Sequence, residues 1–129
     1  MSYRIMVVDD EARIADTLAL VLQHSGYETA VAYEGDSALA QCPEFQPDLL
    51  LTDVVMPGMD GIELSQHVTD KFPTCKVLLF SGNTTTTELL ERAQKKGRNL
   101  PLLSKPVHPV ELLRKIAETL NSFEMQQDA

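Results

Sequence analysis

The chain has only two cysteines, Cys42 and Cys75, far apart and without C-x-x-C spacing. That pattern argues against a disulfide framework or a thiolate zinc site, and both residues read as small buried hydrophobes. No apolar run approaches the roughly 18 residues that cross a bilayer, so no membrane association is expected. The start, Met1-Ser2-Tyr3-Arg4, leads straight into an apolar strand without the apolar core or cleavage site of a secretory signal, and a cytoplasmic location is the expectation. Internal repeats and low-complexity tracts are missing too; the run Thr84 to Thr87 reads as capping at a helix start. Excess positive charge is also lacking: the formal net charge is −8, which argues against direct nucleic-acid binding through the bulk field.

What the chain does have is 43% apolar residues in a length of 129, enough for one buried core and too little for two independent ones. Its charge is uneven. Residues 1–70 hold thirteen of the 19 acidic side chains but only Arg4 and Arg13 among the 11 basic ones. Short β-rich apolar runs alternate with helical patterns, the signature of βαβ units building a parallel sheet in an α/β fold. Strands are predicted at Arg4 to Val8, Glu28 to Ala32, Leu49 to Thr52, Lys76 to Phe80 and Pro101 to Leu103. The first helix is predicted from Glu11 to Ser25, with Ile14, Leu18, Val21 and Leu22 at helical spacing and Gly26 ending it. A second, from Asp36 to Cys42, should stop at Pro43. The third opens at Asp60, where Asp60-Gly61-Ile62-Glu63 matches a capping box with aspartate, and runs to about Lys71. A fourth is expected over Thr85 to Lys96 before Gly97, and a fifth after Pro109, with Leu112, Leu113, Ile116 and Leu120 on one face. The folded domain is expected to occupy residues 1–121, with 122–129 a polar tail or linker stub.

In doubly wound sheets, ligands gather at the carboxyl ends of the strands. Those ends carry Asp9 and Asp10, then Asp53, Ser81 and Lys105. Three carboxylates in one cleft repel, and the repulsion raises a pKa unless a cation neutralises them. The set holds no His or Cys to suit zinc, whereas Mg²⁺ takes a few carboxylates, waters and a substrate phosphate. Asp9 or Asp10, Asp53 and the backbone carbonyl of Val55 are the expected ligands. A carboxylate can attack phosphorus to form an acyl phosphate. The phosphoryl oxygens then need Mg²⁺, the Lys105 ammonium and the Ser81 hydroxyl around them. Singly, each feature has a plainer reading: paired aspartates cap helices, Ser-Gly makes turns, and a lysine before proline sits in loops.

Four motifs are more specific than these spacings: Val7-Val8-Asp9-Asp10-Glu11, Leu51-Thr52-Asp53-Val54-Val55-Met56-Pro57-Gly58-Met59-Asp60-Gly61, Phe80-Ser81-Gly82 and Ser104-Lys105-Pro106. On them, the chain resembles a response-regulator receiver domain, the phosphoacceptor domain of two-component signalling, from Tyr3 to about Asn121. The resemblance implies a three-layer α-β-α sandwich of flavodoxin-like fold, its five-stranded parallel sheet in the order 2-1-3-4-5. It implies Asp53 as phosphoacceptor, Asp9 and Asp10 in Mg²⁺ binding, Ser81 as the switch hydroxyl, Lys105 as the phosphate-contacting cation and a cis Lys105-Pro106 bond. The expected donor is a histidine kinase or a histidine phosphotransfer protein. The chain is then a signalling switch rather than an enzyme, performing its own phosphoryl transfer and slow autodephosphorylation.

Departures from the family pattern matter for output. Leu102 stands three residues before the lysine, where many receivers carry an aromatic ring, and Val55 and Asn83 occupy positions that influence attack by water on the acyl phosphate. Seven of the 11 basic side chains lie between Arg92 and Lys115. Without Lys105 they form either a solvated face or a homodimer or effector contact through the fourth and fifth helices. Two other functions fit parts of the pattern: an interaction module that works without phosphorylation, and a small Mg²⁺-dependent phosphohydrolase. The hydrolase would need a second acid where Val55 stands and a substrate cap.

Overall fold

The computed structural model describes residues 2–82, 91, 94 and 101–128, with the side chains of the last helix described to residue 121. Five parallel strands, β1 (Arg4–Val8), β2 (Glu28–Ala32), β3 (Leu49–Asp53), β4 (Lys76–Ser81) and β5 (Leu102–Ser104), form one sheet in the order β2-β1-β3-β4-β5. This is the predicted topology. Register is fixed by pairs such as Val8 with Thr52 and Asp53 with Phe80.

Alternation along the strands divides the core in two, because successive side chains point to opposite faces. On one face Ile5, Val7, Leu49, Leu51, Leu78 and Phe80 pack against α1 (Ala12–His24) and the C-terminal helix (Pro109–Asp128). On the other, Met6, Val8 and Leu50 meet Ala38 and Cys42 of α2 (Gly35–Phe45) and Leu64 and Val68 of α3 (Gly61–Lys71). Both strand faces are covered, which is why these strands read as apolar runs rather than as polar–apolar alternations.

Helix ends follow local chemistry. Gly26, at φ +96°, terminates α1 as expected. The Asp60 carboxylate accepts the Glu63 N–H at 2.8 Å and caps α3. One expectation is corrected. Pro43 lies inside α2, which continues to Phe45 and closes at Gln46 in the left-handed region, its N–H donating to the Cys42 carbonyl at 2.7 Å. Pro43 lies in the last turn, so the bond it cannot make and the clash of its ring with the carbonyl four residues back fall at the helix end, where they do not stop the chain. The C-terminal helix runs to Asp128, where a polar tail from Ser122 is predicted. That stretch contains neither Gly nor Pro, and its Glu, Met and Gln are good helix formers. Glu91 and Gln94 are helical; the rest of the predicted fourth helix, and with it Asn83 before it and Arg98 after it, lies outside the described residues. Among the described residues no helix is long and apolar enough to cross a membrane.

Candidate functional site

The carboxyl ends of β1, β3, β4 and β5 meet in one cleft lined by Asp10, Glu11, Asp53, Val55, Ser81, Gly82 and Lys105. Asp53 and Ser81 are the last residues of their strands rather than the first beyond them. β3 stays paired to its end, and the Val54 N–H donates to the Phe80 carbonyl at 3.2 Å. Carboxylate oxygens of Asp9, Asp10 and Asp53 all lie within 4.8 Å of one another. Asp9 is fully buried, Asp53 nearly so, and Asp10 is exposed.

Lys105 joins them. Its Nζ donates to Asp9 Oδ2 at 3.2 Å and to Asp53 Oδ2 at 3.3 Å. The other Asp9 oxygen accepts the Glu11 N–H at 3.0 Å, just ahead of α1. That bond shapes the turn before α1 and is not a helix cap: Glu11 is the N-cap and no side chain caps this helix, so the plainer capping reading of the aspartate pair does not hold here. Lys105 precedes Pro106 through a cis bond.

Burial, together with the charge of Asp9, pushes the Asp53 carboxyl up to about 6 against the opposing pull of Lys105. Burial alone would lower the lysine, but Asp53 and Asp9 outweigh it and hold the ammonium above its ordinary value. The oxygen-only donor set, and the repulsion between two buried carboxylates that Lys105 only partly offsets, fit a hard divalent cation such as Mg²⁺.

Five side chains singled out in the sequence therefore converge, and Val55 lines the same cleft. Leu102 is half-buried against Val54, Ile62, Val77 and Leu79. Three features escaped sequence reasoning. Glu11 reaches the cleft rim. A Cβ on Gly61 would strike the Asp53 carbonyl oxygen. Lys105 Nζ sits over the Phe80 ring, 5.1 Å from its centroid. Only Glu11, beside the aspartate pair, left a sequence signal; the other two are contacts between distant parts of the chain.

The three carboxylates and the lysine lie at the carboxyl edge of a doubly wound α/β sheet, the place where such folds bind ligands. Residues 5–117 match the response regulator receiver domain family, and the chain belongs to it: this is a receiver domain of two-component signalling, a signalling switch. The DNA-binding response regulator MtrA of Mycobacterium tuberculosis is 32% identical over 120 residues, which make up 93% of this chain and 51% of that protein. The chain spans about half the length of the curated relatives it matches. Among solved structures, a CheY-like receiver domain protein from Methanospirillum hungatei has a TM-score of 0.86 at 29% identity, covering 98% of this chain and 99% of that one. The receiver domain of NtrX from Brucella abortus has a TM-score of 0.79 at 31% identity, covering 91% and 98%.

Proposed function

We propose that Asp53 accepts a phosphoryl group from the phosphohistidine of a histidine kinase or histidine phosphotransfer protein in a Mg²⁺-dependent transfer. The observation that carries this reading is the Lys105 ammonium bridging Asp9 and Asp53 beside the three clustered carboxylates. An Asp53 carboxylate oxygen attacks phosphorus, the new O–P bond forms as the donor's N–P bond breaks, and the imidazole leaves. Lys105, already 3.3 Å from Asp53 Oδ2, meets one phosphoryl oxygen, and the Ser81 hydroxyl donates to another. Mg²⁺, held by Asp9, Asp10, Asp53 and the Val55 carbonyl, supplies the remaining neutralising charge when bound. The switch domain comprises residues 1–121 and works in the cytoplasm. Its phosphorylated state shifts the population of the surface carried by segment 109–121, and so changes which kinase, effector or second copy it holds. Loss of the phosphoryl group is a slow hydrolysis within the same cleft.

The test is incubation with acetyl phosphate and Mg²⁺ followed by intact mass. A phosphoryl adduct is expected on the wild type and none on Asp53→Asn. An adduct on both, or on neither, refutes the assignment.

A further inference from the structure

Lys105 reaches its two carboxylates at the end of a flexible four-carbon stem, which by itself does little to hold a point charge in one place. The site therefore needs something that fixes the ammonium. Asp9 and Asp53 attract it from one side. On another, the ammonium lies over the Phe80 ring, 5.1 Å from the centroid. Phe80 is fully buried next to Ser81 in β4 and belongs to the same core cluster as Leu18, Leu103 and Leu112. The negative face of an aromatic ring attracts a cation, more strongly where water is excluded. Phe80 also lines a cavity of about 530 Å³ with Ile14, Leu18, Lys105 and Val107, so ring and ammonium meet in the wall of one cavity.

We infer that Phe80 is the positioning residue for Lys105, its ring holding the ammonium against Asp9 and Asp53. The consequence for phosphorylation rests on Asp53 being the acceptor; the geometric claim does not. Two readouts separate them. The first is the NMR signal of the Lys105 ε-methylene, assigned by its loss in Lys105→Ala. Ring current moves it away from the crowd of exposed lysines in the wild type, and Phe80→Leu returns it there. A Lys105 signal among the exposed lysines in the wild type, or one unmoved by Phe80→Leu, overturns the inference.

The second is the rate of phosphorylation by acetyl phosphate with Mg²⁺ in a double-mutant cycle. Phe80→Leu slows the reaction about tenfold when Lys105 is present, as expected for a desolvated cation–π contact, and has no further effect in Lys105→Ala. Equal loss in both backgrounds means that Phe80 only packs the core, and overturns the inference. A fluorinated phenylalanine at position 80 keeps the ring's shape while draining its negative face. It slows the rate like Phe80→Leu even if the leucine variant is poorly folded; a wild-type rate from it counts against the cation–π account. If the wild type takes no phosphoryl group at all, the acceptor reading falls, and the NMR signal alone decides the role of Phe80.

Discussion

Burial at the end of β3 and the charge of Asp9 act in the same direction on Asp53, and the Lys105 ammonium at 3.3 Å does not offset them. The carboxyl therefore titrates near 6 in the folded chain and at 3.8 by default. The folded state binds this proton more tightly than the unfolded state does. Below the lower value both states are protonated and the group has no effect; between the two the folded state loses ground, and above about 6 the loss is complete. Metal-free protein should accordingly lose stability through this group as pH rises across that window. In chelator at pH 7.5, Asp53→Asn should have a higher urea midpoint than the wild type, the gap closing as pH falls toward 4. Mg²⁺ should close it from the other side by stabilising only the wild type, an effect that fades below pH 6 as the carboxyl protonates. Equal midpoints for the two proteins in chelator at pH 7.5 would show that Asp53 is not strained by its neighbours.

At the level of elements, the connection between β3 and α3 sets the position of the acceptor. The Gly61 N–H donates to the Val54 carbonyl at 2.7 Å, and the helix start packs directly on the backbone of Asp53. A methyl group at 61 has no room, because the obstacle is a carbonyl within a paired strand rather than the tip of a side chain. Gly61→Ala should cost about 1–3 kcal/mol in urea unfolding, the usual price of overpacking, and should also weaken Mg²⁺ binding by displacing Asp53. Asp60→Ala, one residue earlier, removes only the cap and should cost about 1 kcal/mol with Mg²⁺ affinity intact. If both variants lower Mg²⁺ affinity alike, α3 does not position Asp53 through Gly61. The Asp60 cap was legible in the sequence because capping is chemistry between residues three apart. The role of Gly61 was not, since it depends on which strand end the helix start meets. Phe80 was hidden for a related reason: a phenylalanine in an apolar strand looks the same whether its ring merely fills the core or also faces a cation.

Across the whole molecule, two apolar layers flank one sheet; its strands were readable as short apolar runs between helical patterns, and their order 2-1-3-4-5 came from the family resemblance. A short apolar run bounded by polar residues marks a doubly covered strand directly, so the ends of the five strands came within a residue of the structure. Helix ends were harder where they depend on packing or on the absence of a breaker, as at Pro43 and beyond Asn121. The C-terminal helix illustrates the difference between being helical and being needed. Leu112, Ile116 and Leu120 are its buried side chains among the described residues, and they cover the face built by Val7, Leu51 and Leu78. Helix past Leu120 adds backbone order, whereas stability in such elements comes chiefly from the packed face. With the domain proposed to end at Asn121, ending the chain there should shift the unfolding free energy by no more than about 0.5 kcal/mol and leave phosphorylation by acetyl phosphate unaltered. Ile116→Ala, which opens a void in the same helix's buried face, should cost about 2–5 kcal/mol. A truncation that destabilises as much as Ile116→Ala would mean that residues 122–129 carry part of the fold, and the domain boundary would move to the end of the helix.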